Sequence, residues 1–230
     1  MHRLPRRLPA EAALRLDAGA AARGWDLPTR LFHWTLAALV LFSLCTGEAG
    51  GSWLAWHMRS GYAILTLLVF RIAWGIVGSP EARFTAFVRG PRAALAHARA
   101  IAGGKRTLGP GHNPLGGWMV LALLALTALQ AGTGLFSNDE ASHEGPLAAK
   151  VPDALVDRMS AIHDGNAWII VAAVALHVIA VAIYQWRWRI DVIGPMLRGP
   201  ATARQNVTAA ILVAASAAAV YWLVIIYPRS

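Results

Sequence analysis

The chain has 230 residues, 57% of them hydrophobic and 14% charged, with a formal net charge of +9. Its mean hydropathy is +0.47, and apolar runs of about twenty residues recur, so an ordinary soluble domain gives way to a polytopic all-α membrane protein. The basic excess then belongs to arginine-rich cytoplasmic loops and gives no reason to expect a nucleic-acid partner. Cys45 is the single cysteine, which excludes an intramolecular disulfide.

Residues 1–24 carry Arg3, Arg6 and Arg7 with no apolar segment behind them. They are not a cleavable signal peptide and are expected to form a mobile cytoplasmic tail. The first span is expected over residues 29–46, opened by Asp26, Leu27 and Pro28, which suit a helix start. It carries His33 one turn in. The GEAGGS segment that follows is short enough only for a tight turn, so the second span, over 53–78, runs antiparallel and carries His57 one turn in.

Residues 79–113 hold Arg83, Arg89, Arg92, Arg99, Lys105 and Arg106 against Glu81 alone, which places this loop in the cytoplasm. Within it, Pro91 to Ala102 reads as a short amphipathic surface helix ended by glycines. The third span, over 115–136, has no histidine. Its small residues Gly116, Gly117, Gly132 and Gly134 would let a neighbouring helix or a flat ligand approach the backbone. The next loop, with Asp139, Glu140, Glu144, Asp153 and Asp157, is expected outside.

The fourth span, over 159–186, carries His163 and His177 and ends in the aromatic and basic anchor Trp186-Arg187-Trp188-Arg189. A fifth span, over 207–228, has neither charge nor histidine and would leave the C-terminus periplasmic and the N-terminus cytoplasmic. The segments F-V-R-G-P and M-L-R-G-P after spans two and four form a faint internal echo.

Intramembrane histidines are expensive to bury and ask for partners. Fourteen residues of helix return His177 to within roughly 40° of the face of His163 and about 21 Å along the axis. Antiparallel topology then pairs His33 with His177 at the inner level and His57 with His163 at the outer level. Two cross-helix imidazole pairs at two depths suit two bis-histidine haems, held without covalent attachment because no C-x-x-C-H is present.

The rival readings fare worse. Zinc or copper would need ligands gathered at one depth. A proton-conducting, haem-free transporter would add carboxylates inside the bilayer, where Asp164, at the outer end, is the only acid. Asp164 itself reads as an acceptor behind His163, an acid that takes protons from a quinol, or a solvated residue. Arg71, fourteen residues beyond His57, reads as a snorkelling arginine or as a cation paired with propionates of the inner haem. His2, His97, His112 and His143 fall in polar segments and are read as surface residues.

These motifs resemble the bacterial cytochrome b561 family, related to the b-type cytochrome subunits of nickel-iron hydrogenases. The resemblance rests on W-D-L-P-T-R-L-F-H-W at residues 25–34, W-H-M-R-S-G-Y at 56–62, F-V-R-G-P at 87–91, G-H-N-P-L-G-G-W-M at 111–119 and A-L-H-V at 175–178, and covers about residues 25–200. It implies an antiparallel four-helix bundle with two haems b, their ligands falling on His33, His57, His163 and His177. The added fifth helix and the long N-terminal tail depart from the four-helix core.

The resemblance further implies an inner-membrane electron carrier, an oxidoreductase linking the quinone pool to a soluble cytochrome c or superoxide at the outer face. The alternative is a haem-bearing anchor for a hydrogenase or another dehydrogenase. A homodimer is compatible with either role.

Overall fold

The computed structural model describes residues 24–103, 114–139 and 143–229. The expected tail, apart from Gly24, and His2, Gly104, His112 and Glu140 lie outside the described residues. Among those described, the elements are helical apart from one isolated bridge between Asn138 and Glu144. Five helical stretches are long and apolar enough to cross a membrane: Leu27–Ala49, Gly51–Val77, Pro114–Gly134, Asp153–Arg187 and Ala203–Arg229. The shortest spans about 30 Å at 1.5 Å per residue, the thickness of a hydrocarbon core. The protein is a multi-pass helical bundle.

Helix α1 (Leu27–Ala49) begins because Asp26 accepts the backbone N–H of Thr29 at 2.7 Å and Pro28 needs no N–H partner in the first turn. Gly50 and Gly51 end it, with φ of 61° and 53°. Two consecutive left-handed residues make the turn tight, and only glycine takes them without strain. A 3-10 turn, Gly51–Trp53, leads into the antiparallel α2 (Leu54–Val77).

A short α3 (Phe84–Phe87) and α4 (Pro91–Ala102) follow, the latter at the bounds expected for the amphipathic surface helix. Helix α5 (Pro114–Gly134) is antiparallel to α6 (Asp153–Ala182), which starts ahead of the expected position 159 and ends in a π turn, Ile183–Arg187. A short α7 (Gly194–Leu197) precedes α8 (Ala203–Tyr221), whose last turns are again π and 3-10.

Helix α1 packs along α2 and α5 along α6, so the bundle is two antiparallel hairpins joined mainly through α2 against α5. Direct contact between α1 and α6 is sparse, which leaves room between the faces that carry the histidines. Helix α8 packs against α2 on the outside of the bundle and more lightly against α1. Ala209 joins a cluster with Phe32, Phe70 and Trp74, and Val220 and Val224 join one with Leu135 and Leu147. Large apolar side chains on α6, such as Trp168, Ile169, Leu176 and Val178, stay exposed, as a lipid-facing surface requires.

The F-V-R-G-P and M-L-R-G-P echo has a structural counterpart. Each segment begins at the end of a short helix and offers a carbonyl to an indole at the start of the other hairpin: Trp118 Nε1 donates to Arg89 O at 2.9 Å and Trp34 Nε1 to Met196 O at 3.0 Å. Each hairpin thus docks its first helix onto the exit of the other. These exits carry Arg89, Arg187, Arg189 and Arg198 and mark a basic end of the bundle. Asp139, Glu144, Asp153 and Asp157 mark the opposite, acidic end.

Candidate functional site

Position begins at Asp26, which the sequence marks only as a helix start. Its carboxylate is 2% exposed and also accepts from Trp74 Nε1 at 3.2 Å and from the Ser79 hydroxyl. The first turn of α1 is thereby tied to the last turn of α2. Trp25 N donates to Pro195 O, and the Arg30 guanidinium donates to Leu197 O and Gly199 O, which ties the same turn to the exit of α6. The direction of His33, one turn further in, follows from these anchors.

At the basic end the His33 and His177 rings face each other across α1 and α6 with centroids 6.5 Å apart and planes at 59°. His33 Nδ1 is buried without a hydrogen-bond partner. At the acidic end His57 and His163 face each other across α2 and α6 at 5.9 Å, planes at 81°. The two pairs that topology selects are therefore the two that the fold brings together, with about 21 Å of helix rise between His163 and His177.

The acidic-end pair is oriented by backbone. His57 Nδ1 lies 2.8 Å from Ser43 O on α1, and His163 Nδ1 lies 3.0 Å from Gln130 O on α5. A carbonyl oxygen only accepts, so in both rings Nδ1 carries a proton, and in the neutral ring Nε2 keeps its lone pair. Each ring also rests on a glycine one turn beyond its acceptor. A Cβ at Gly47 would come within 3.0 Å of His57 Nδ1, and one at Gly134 within 2.9 Å of His163 Cε1. Alanine would favour either helix by about 1 kcal/mol, so glycine here serves the close approach of the ring.

Of the small residues expected on the third span, Gly134 admits the His163 ring and Gly117 the Phe87 carbonyl, while Gly132 meets nothing within 4 Å. The supporting residues Ser43, Thr46, Gln130, Thr133 and Asn166 were not anticipated. Their signal is the pair of segments S-L-C-T-G at 43–47 and Q-A-G-T-G at 130–134, related in sequence only by the final T-G. Asn166, buried one turn after His163, donates to Gln130 Oε1 at 2.7 Å and to Leu126 O at 3.0 Å, which steadies that segment of α5.

A cavity of about 420 Å³ opens between the His57 and His163 rings. Its walls are largely apolar, from Val40, Leu44, Met58, Ile64 and Ile170, and its rim carries Glu48, Asp139, His143 and Asp164. Asp164 is exposed there. Arg71 is 4% exposed and donates to Ala82 O at 3.1 Å. Its guanidinium carbon lies 4.8 Å from the Phe84 ring, 5.9 Å from Phe32 and 6.0 Å from Phe87, a box of cation–π contacts. Its Nη1 is buried without a hydrogen-bond partner.

A family model described as prokaryotic cytochrome b561 matches residues 24–199. The chain belongs to that family. Neither among curated proteins nor among solved structures is there a match. Prokaryotic cytochromes b561 are membrane electron-transfer proteins that bind b-type haem.

The residues of this cytochrome b561 chain fit that group on three counts. Metal–imidazole bonds of about 2 Å, with about 1 Å more from nitrogen to ring centre, would leave two rings that share a metal up to about 6 Å apart, and the observed 6.5 Å and 5.9 Å are close to that. The bare Nε2 lone pairs at the acidic end are the ligating form of histidine. The buried His33 Nδ1 has no hydrogen-bond partner, a cost on the order of 1–3 kcal/mol that a ligand bond or a carboxylate beside it would relieve. Among the described residues no cluster of three or more His, Cys, Asp or Glu side chains could hold a bare metal ion, so the histidines stand in pairs.

Proposed function

We propose that this cytochrome b561 is a dihaem b-type carrier of the bacterial inner membrane, moving electrons between the quinone pool and a soluble redox partner at the outer face. The observation that carries the reading is the pairing of four intramembrane histidines into two facing couples at two depths, 6.5 Å and 5.9 Å between rings. His33 and His177 would hold one iron and His57 and His163 the other. A bound b-type haem supplies a one-electron Fe(III)/Fe(II) couple whose potential the protein sets.

Loop charge supports an orientation with the basic end inside and the acidic end outside, which leaves the C-terminus periplasmic. The outer pair then lines a cavity with apolar walls and an acidic rim, the space that its haem would fill. Quinol oxidation releases two electrons and two protons for each molecule. A quinol docked at the mouth of this cavity, at the edge of a haem held within it, would meet the Asp139, His143 and Asp164 side chains of the rim, which suit its protons. Arg71, a buried cation at the inner level, favours reduction at the inner site through its charge, and its unpartnered Nη1 leaves it a donor for a propionate.

The quinone step has a direct test. Detergent-purified, oxidised protein mixed anaerobically with a reduced short-chain quinol is expected to show reduced α-bands within the mixing experiment, and excess quinone is expected to reoxidise them. A protein whose haems respond to dithionite but to neither quinol nor quinone would sink the quinone assignment while leaving the dihaem reading intact.

A further inference from the structure

The two histidines at the acidic end are held by the same device, built twice on different helices. On α1 the Ser43 carbonyl accepts His57 Nδ1–H at 2.8 Å and, at 3.1 Å, the hydroxyl of Thr46. On α5 the Gln130 carbonyl accepts His163 Nδ1–H at 3.0 Å and, at 3.1 Å, the hydroxyl of Thr133. Each threonine shares its hydroxyl with the carbonyl one residue earlier, Phe42 O and Leu129 O, both at 2.8 Å. Each is buried, Thr46 at 3% and Thr133 at 4% exposure, and each precedes the glycine on which the ring rests. Two further hydroxyl contacts complete the surroundings of these nitrogens, Ser43 Oγ at 3.2 Å from His57 and Thr133 Oγ1 at 3.3 Å from His163.

An ordinary helix explains a threonine back-bonded to the preceding turn. It does not explain why, at both places, the carbonyl so engaged is also the one that takes the imidazole proton. A carbonyl oxygen has two lone pairs but one supply of electron density, so a second donor weakens its hold on the first. The strength of the Nδ1–H bond in turn sets how much imidazolate character, and so how much electron donation, Nε2 offers a metal. His33 Nδ1 at the basic end is buried with no hydrogen-bond partner at all. Among the described residues this device is seen only at the acidic-end pair.

We infer that Thr46 and Thr133 are positioning residues that act through the shared Ser43 and Gln130 carbonyls to moderate the donor strength of His57 and His163, and so hold the outer haem at a higher potential than its ligands would otherwise give. The inference rests on the dihaem reading. Removal of either hydroxyl returns the full basicity of the carbonyl to the histidine, strengthens Nε2 as a donor and favours ferric iron.

The test is a potentiometric titration of the purified holoprotein, with low-spin ferric EPR on the same samples, for Thr46→Val, Thr133→Val and the double variant. The expected result is two haems retained, a midpoint shift to lower potential confined to the outer haem and largest in the double variant, and a displaced EPR gmax for that haem alone. Thr46→Ser and Thr133→Ser, which keep the hydroxyl, are expected to restore the wild-type values. Where valine is not accommodated and haem is lost, Thr46→Ala and Thr133→Ala carry the same expectation without the bulk. Unmoved potentials and EPR in two-haem variants overturn the inference, as does an equal shift of both haems. A wild-type protein with no haem between His57 and His163 overturns the dihaem reading itself, and the inference with it.

Discussion

His177→Ala is expected to carry one haem per chain, and His33→Ala to carry the same one. The two residues come from helices far apart in sequence, yet their rings stand 6.5 Å apart. His177 and His163 share a helix and a face, but about 21 Å of rise separates them. If adjacency along α6 defined a site, the loss would follow α6. If the cross-helix pairs define it, His33→Ala and His177→Ala give superimposable reduced-minus-oxidised spectra, and their double variant loses nothing more. His57→Ala is expected to retain the haem that these variants lack. The measurement is haem content by pyridine haemochrome, with a potentiometric titration to identify which midpoint has disappeared. Loss of different haems from His33→Ala and His177→Ala would break the pairing.

Asp26→Ala is expected to be the most costly single substitution away from the histidines. The carboxylate caps α1 at Thr29 N and receives the Trp74 indole and the Ser79 hydroxyl in a site with 2% exposure. An N-cap is worth about 1 kcal/mol, and each buried donor left without its acceptor adds roughly 1–3 kcal/mol. The expected loss is therefore about 3–5 kcal/mol, allowing for partial relaxation around Trp74. Asp26→Asn is expected to fall between, since it keeps one acceptor oxygen for the cap but turns an amide towards the other donors. Unfolding by SDS titration in mixed micelles, followed through tryptophan fluorescence and the Soret band, measures both. Because Asp26 fixes the turn that leads to His33, the His33–His177 haem is expected to be lost at lower SDS than its neighbour. A cost under about 1 kcal/mol would mean that only the cap matters.

Much of the site is legible in the chain because hydrocarbon penalises histidine so strongly. Four such residues, a fourteen-residue interval and an antiparallel topology leave few pairings, and His33 with His177 and His57 with His163 are the pairs the fold brings face to face. What escapes the sequence escapes for physical reasons. Asp26 bonds Trp74 and Ser79 at separations of 48 and 53 residues, and no local pattern marks such a bond. Beyond its polar first turn, helix α8 carries almost only apolar residues on every side, so no amphipathic stripe announces that it packs on α2. The aromatic box around Arg71 draws Phe84 and Phe87 from a short helix that lies beyond the apolar span and closes over it.

The carbonyls of Ser43 and Gln130 are the extreme case. Any residue supplies a carbonyl, so the identity of the acceptor carries no signal; only the threonine and glycine that follow do. Helix α6 begins at Asp153 because helical backbone continues into the polar loop, where water satisfies its first turns as well as lipid forbids any alternative further in.

If the two histidine pairs are two haem sites, the chain carries two haems b. The most direct measurement is a reduced-minus-oxidised absorption spectrum of detergent-purified protein with pyridine haemochrome quantitation against protein concentration. The expected result is a b-type spectrum and two haems per chain. One haem per chain would mean that a facing pair is not a ligand set, and none would mean that neither is.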